Sequence, residues 1–278
     1  MPPPGAEPLL AAVLANPDDD LVRVVYADWL DETGTPEAAA RAEFIRIQIE
    51  LAGLGYEGAN PKRKKPESWD TLGQRIDALI HRQNELWDEH GPAWRAELPP
   101  CPGTTFWFTR GFATWADVQH PGGLMRDGDK LFAVAPITRL SFRDPPLESL
   151  AVPILDAPWF DRIRKLSVAY NRHHAARAGD EIADLLKDSP RTTHLRELVF
   201  AGTDMSDHGA VAIGISDFAA NLTRLDLSEN RIGNYGAEIL YRHLNPERLL
   251  SLNLSDNPIL SEYRLRFEER FPGRVRFV

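Results

Sequence analysis

Two nine-residue stretches, offset by 27 positions, constrain this chain more than any other feature. Leu222-Thr-Arg-Leu225-Asp-Leu227-Ser-Glu-Asn230 and Leu249-Leu-Ser-Leu252-Asn-Leu254-Ser-Asp-Asn257 share the frame LxxLxLxxN. Leu195-Arg-Glu-Leu198-Val-Phe200-Ala-Gly-Thr203 fits with Thr in place of Asn, and Ile163-Arg-Lys-Leu166-Ser-Val168-Ala-Tyr-Asn171 fits with conservative changes. Ile137-Thr-Arg-Leu140-Ser-Phe142 keeps only the three apolar positions. Six residues after Asn230 comes Gly236-Ala237, and six after Thr203 comes Gly209-Ala210, each opening an apolar helical stretch. The unit is therefore strand, turn and helix. A single unit cannot bury its own apolar face, whereas a stack of them builds one continuous core. The first, fourth and sixth positions of the frame point into that core. The Asn side chain at the ninth, with Asn171, Asn230 and Asn257 in equivalent places, bonds turn backbone that would otherwise be buried unpaired.

The frame starts at 137, 163, 195, 222 and 249, so the longest interval, 163 to 195, predicts an insertion around His173–Asp180. Residues 273–278, GRVRFV, read as a closing strand with Val275 in phase with Leu249. The pattern resembles the leucine-rich repeat family, in its ribonuclease-inhibitor-like subtype. That resemblance implies an α/β solenoid with parallel strands on the concave side, helices on the convex side, and a protein partner.

Between the inward positions, alternate strand residues face solvent. By register these are Arg139, Ser141 and Arg143; Lys165, Ser167 and Ala169; Glu197, Val199 and Ala201; Arg224, Asp226 and Ser228; and Ser251, Asn253 and Ser255. The early units are basic, the middle ones mixed and the last polar and neutral. We expect the partner contacts among Arg139, Arg143, Lys165, Glu197, Val199, Arg224, Asp226, Ser228, Ser251 and Asn253. Five strands make a face about 20 Å wide, small beside the roughly 800 Å² that each partner of a standard interface buries.

Residues 1–95 carry a helical pattern instead, 96–136 are rich in Pro, Gly and short aromatic runs, and 137–278 hold the repeats. Asp18 or Asp19 caps a second helix that ends near Gly34, and Pro36 opens a third. A fourth runs from about Trp69 to Glu89 and stops at Gly91-Pro92. The runs TFWF and GFATWADV predict strands, and Gly122, Gly123 and Gly128 read as turn residues. On a helical wheel Leu21, Val24, Val25 and Trp29 share one side, with Asp28 among them and Arg23 and Ala27 opposite. A carboxylate on an apolar face needs a partner. The expected partner is Arg41, with Arg46 pointing away. No base, nucleophile or second positioned acid accompanies Asp28, so its role reads as structural.

The same stretch resembles a bacterial repeat-companion domain, carried by Tyr26–Leu30 (YADWL), Glu32, Gly34, Arg41–Arg46 (RAEFIR) and Gln48. The TPEAAA connection before Arg41 is longer than the pattern has. The resemblance covers about residues 7–52. It implies a helical module fused to repeats and implies no reaction.

The net charge of −9 argues against nucleic acid or an anionic membrane as main partner. The basic run Lys62–Lys65 in an acidic chain reads as a solvated loop. One cysteine, Cys101, permits no intramolecular disulfide, and no apolar run approaches membrane-spanning length. These features predict a cytoplasmic protein. The chain has no GxSxG, GxxxxGK[ST] or GxGxxG. His173-His174 with Asp180 and Glu181 is the one cluster of His and acid, and it falls in the insertion. Cys101 has no nearby His. We therefore expect no catalytic residue, metal or cofactor. The competing readings are a hydrolase-like site near the aromatic residues Phe106–Trp115, drawing on Asp117, His120 or the His173-His174 loop, and a purely structural role.

Overall fold

The computed structural model describes residues 5–56, 71–143, 145, 152–170 and 178–277. Lys62–Lys65, Asn171 and His173-His174 lie outside them. The chain divides into two compact units. Unit 1 comprises residues 1–101, 105–116 and 127–137, and unit 2 comprises 102–104, 117–126 and 138–278.

Unit 1 contains α1 (Glu7–Ala15), α2 (Asp20–Glu32), α3 (Pro36–Gly53) and α4 (Thr71–Ala96). Asp19 caps α2 by accepting from Leu21 N, and Thr35 caps α3 by accepting from Ala38 N ahead of Pro36. α4 does not stop at Gly91-Pro92 but runs through to Ala96 with Pro92 inside it. Gly91 has no room for a Cβ, which would lie 2.8 Å from the Trp87 ring, and Trp94 beyond it is buried. Packing of the last turn outweighs the lost N–H of Pro92.

The two expected aromatic strands form β1 (Thr104–Thr109) and β2 (Phe112–Val118), followed by α5 (Gly122–Val134). Gly122, Gly123 and Gly128 are thus helical, not turn residues. Arg110 and Gly111, both with positive φ, make the two-residue turn between the strands. The turn is held from α3. Gly111 N donates to Gln48 Oε1 at 2.7 Å, and Gln48 Nε2 donates to Gln83 Oε1 and Phe108 O. A Cβ on Gly111 would collide with Ile45, so the position is closed to other residues by sterics as well as by φ.

The wheel for α2 is corrected. Its buried face is Arg23, Tyr26, Ala27 and Leu30, at i, i+3, i+4 and i+7, while Leu21 and Val25 are exposed. Asp28 is therefore a surface acid. Arg46 donates to it at 2.7 Å and pairs with Asp31 at 2.7 Å. The expected Asp28–Arg41 pair does not exist. Arg41 instead lies against the Trp94, Phe108 and Phe112 rings, with its guanidinium carbon 4.8, 5.4 and 5.7 Å from their centroids. Phe108 and Phe112 are more than 60 residues downstream, so no local pattern could have paired them with it.

Unit 2 contains β3 (Arg139–Arg143), β4 (Lys165–Ala169), α6 (Gly179–Asp188), β5 (Glu197–Val199), α7 (Asp207–Gly214), β6 (Arg224–Asp226), α8 (Asn234–His243), β7 (Ser251–Asn253), α9 (Ser261–Arg270) and β8 (Val275–Arg276). The six strands β3 to β8 pair in parallel in chain order. Every apolar frame position, from Ile137, Leu140 and Phe142 to Leu249, Leu252 and Leu254, is buried. Each such side chain withdrawn from water contributes about 1.5–3 kcal/mol before entropy. The closing strand is present, but Val275 pairs with Leu252 instead of continuing the phase of Leu249.

Two polar ladders lock successive units. Asn230 Oδ1 accepts from Thr203 N and Met205 N at 3.0 Å each, and its Nδ2 donates to Phe200 O, Leu227 O and Ser228 O. Asn257 repeats this with Ile232 N, Leu227 O, Leu254 O and Ser255 O. The second ladder joins helix starts. Asp180 accepts from Ser206 N, Ser206 Oγ and Gly209 N, Asp207 accepts from Gly233 N and Gly236 N, and Asn234 accepts from Leu260 N. The acceptor of one unit thus satisfies orphan N–H groups at the next helix's N-terminus. Gly209 and Gly236 are glycines because a Cβ would lie 2.5 Å from Asp180 Oδ1 and 2.7 Å from Asp207 Oδ1.

Candidate interaction face of the repeats

Alternation along each strand puts the residues between the buried leucines on the opposite face of the sheet. The parallel register then aligns them into rows. One row runs Arg139, Lys165, Glu197, Arg224 and Ser251, and the next runs Ser141, Ser167, Val199, Asp226 and Asn253, ending on Arg276. Arg143, with Ala169 beside it, extends β3 beyond them.

The charges in the first row are coupled. Lys165 Nζ lies 3.0 Å and Arg224 Nη1 3.1 Å from the two oxygens of Glu197. One carboxylate thus bridges two cations across three strands. Arg224 keeps 59% of its side chain exposed, against 24% for Glu197, so the cation is the group an approaching molecule meets. Ser251 is exposed and Val199 half-buried. The row does not fade evenly from basic to neutral but is an interleaved array with an excess of cation.

In the second row the polar groups serve the turns. Asp226 Oδ1 accepts from Ser228 N at 3.0 Å and Ser228 Oγ at 2.6 Å, and Asn253 Oδ1 accepts from Ser255 N at 3.2 Å and Ser255 Oγ at 2.8 Å. Ser228 and Ser255 are buried. Ser228 is therefore corrected from a solvent-facing contact to part of the turn, because its hydroxyl closes on Asp226 instead of pointing outward.

Arg143 grips Asp117 through two nitrogens, with Nη2 2.7 Å and Nε 3.1 Å from Oδ2. The hydrogen bond to Asp117 raises the pKa of Arg143. Asp117 is 7% exposed and held by this cation, so it is not poised to serve as a general base. His120 is exposed. Asp180 and Glu181 open α6, and Asp180 is consumed in the helix ladder. The 27-residue recurrence of Asp180, Asp207 and Asn234, each with a helix start behind it, was the signal that identifies this ladder in the sequence. Among the described residues no group of three or more His, Cys, Asp or Glu could hold a metal ion. No described helix is long and apolar enough to cross a membrane.

Parallel strands in chain order, with the side-chain amides of Asn230 and Asn257 bonding the turns after β5, β6 and β7, define a repeat solenoid of the α/β kind. The family described as Leucine Rich repeat matches residues 192–214 and 219–240, two of the repeats. These spans cover the β5 and β6 strands, the α7 helix and most of α8. A comparison with curated proteins gives no match.

Proposed function

We propose that this protein is a non-enzymatic protein-binding module, an adaptor or inhibitor-like binder, whose partner sits on the concave strand face. The observation that carries this reading is the row in which Glu197 bridges Lys165 and Arg224 while Arg224 stays exposed. A fixed charge array on a rigid sheet gives orientation and specificity to a partner more than raw affinity. Leucine-rich repeats generally mediate protein–protein contact, which supports the same conclusion. Helices follow β4 to β7 in each unit, which supports the ribonuclease-inhibitor-like subtype.

We read residues 1–95 as the repeat-companion module of a bacterial protein. In support, the motif residues Ile45 and Gln48 hold the β1–β2 turn, and Tyr26 and Arg41 surround the aromatic side of the hairpin. The competing hydrolase-like reading loses Asp117 to its pair with Arg143.

The test is an affinity capture from source-cell lysate with mass spectrometry, comparing wild type with Arg224→Glu. Asp226 is left intact because it builds a turn. A partner retained by wild type and lost by a variant with unchanged melting temperature is the expected result. Equal recovery by both proteins would remove the concave face as the site. No partner for either would favour a structural role.

A further inference from the structure

Unit 1 contains a cavity of about 30 Å³ that the interaction surface does not use. Its wall includes Tyr26, Arg41, Trp94, Glu97, Phe108 and Phe112. Space for a water needs about 10–15 Å³, so the volume corresponds to about two to three water-sized positions. Arg41 Nη1 is out of solvent and meets no hydrogen-bond acceptor among the described residues. An unmade hydrogen bond on a buried donor costs about 1–3 kcal/mol. The three ring faces offset part of that through cation–π attraction, but a ring face does not replace an in-line acceptor for the N–H.

The surroundings restrict what that acceptor can be. Burial pushes the pKa of Arg41 down, and Glu97 nearby pushes it back up. Burial also raises the pKa of Tyr26, keeping its phenol neutral. Glu97 is exposed, which places a negative charge on the open part of the wall while the cation lies inside. A dianion meets more repulsion from Glu97 than a monoanion does. A planar group fits between ring faces better than a spherical or tetrahedral one, and a guanidinium N–H favours a charged oxygen over a neutral one.

We propose that this cavity binds a small monocarboxylate, with one oxygen accepting from Arg41 Nη1 and the plane of the group against the aromatic wall. No covalent step is involved.

The probe is sodium acetate at constant ionic strength with sodium chloride as balance, read by thermal shift and by saturation-transfer NMR of the acetate methyl. Wild type is expected to show a saturable rise in melting temperature with acetate and none with phosphate. Arg41→Lys, which keeps the charge and loses the planar fork, is expected to weaken acetate about tenfold, equivalent to about 1.4 kcal/mol. Should that variant fail to fold, Glu97→Gln at an exposed position carries the test. It is expected to bind acetate severalfold more tightly, because it removes the repelling charge. Equal responses to acetate and phosphate would overturn the carboxylate assignment. No response beyond chloride, or unchanged or weaker binding in Glu97→Gln, would overturn the site.

Discussion

Asn230 in unit 2 and Arg41 in unit 1 are both polar side chains withdrawn from water, and they are accommodated by opposite means. Asn230 spends its oxygen and nitrogen on five backbone groups of two neighbouring units. Arg41 lies among three rings and keeps an unmatched donor. Arg23 follows Arg41. It is fully buried and near Phe112, with its Nε unmatched, and burial, aided by Arg110, lowers its pKa to about 10. The difference teaches where to look for each kind of role. A repeated unit presents the same backbone geometry about every 27 residues, so the amide of Asn257 solves the same problem as that of Asn230. A unit built from dissimilar pieces leaves residual donors, and those mark places where a ligand can gain.

Substitutions along this contrast should produce graded effects. The largest is expected at Asn230→Ala, which strands several buried backbone groups and should cost about 3 kcal/mol in chemical denaturation. Thr203→Val, at the equivalent position, removes a hydroxyl that donates to Phe200 O and lies 3.3 Å from Asn230 Oδ1, and should cost about 1 kcal/mol. Equal losses for the two would break the claim that the amide ladder holds the stack. A smaller effect is expected at Arg46→Ala. It removes both carboxylate pairs of a side chain 40% exposed and should cost less than about 1 kcal/mol, shrinking further in salt. A loss matching that of Asn230→Ala would mean that surface ion pairs, and not the ring-lined interior, hold unit 1 together.

The smallest effect concerns pH. His208 Nε2 lies 2.7 Å from Asp184 Oδ2, joining α7 to α6, and this hydrogen bond raises the histidine pKa above its usual 6.5. A raised folded-state pKa means that the contribution is present below 6.5 and is lost as pH rises through the higher folded value. The melting temperature of wild type should therefore fall slightly across that window relative to His208→Gln. Parallel curves for the two proteins would show that the pair adds nothing to the stack.

The repeats were legible because self-similarity needs no knowledge of partners: Leu222 and Leu249 identify each other. The same logic supplied the roles of Asn230 and Asn257. It failed where a signal was split between residue types, as with Asp180, Asp207 and Asn234, whose common feature is the acceptor and not the amino acid. In unit 1 the helices were readable from caps and prolines, but the face of α2 was not. Ranking its sides by hydrophobicity put Leu21 inward and Arg23 outward. The observed face buries Arg23 because Phe112, far along the chain, supplies a ring beside it. The second row of the candidate face shows a similar limit. Register gave the position of Ser228, but its bond to Asp226 depends on turn geometry that alternation does not contain.

The acceptor ladder also bears on how such a chain can change length in evolution. Asp180 reaches Gly209, and Asp207 reaches Gly236 in the same way. These two links span the same 29 positions, the last, from Asn234 to Leu260, spans 26, and each needs only the adjacent copy. Loss or duplication of a whole period that carries the Asp–Gly link leaves the acceptor facing an equivalent N–H, whereas an insertion of one residue within a period misaligns the link it falls in. Whole-unit gain is thus the path of least disruption, and a genome can widen or narrow this surface in steps of one strand without redesigning either end.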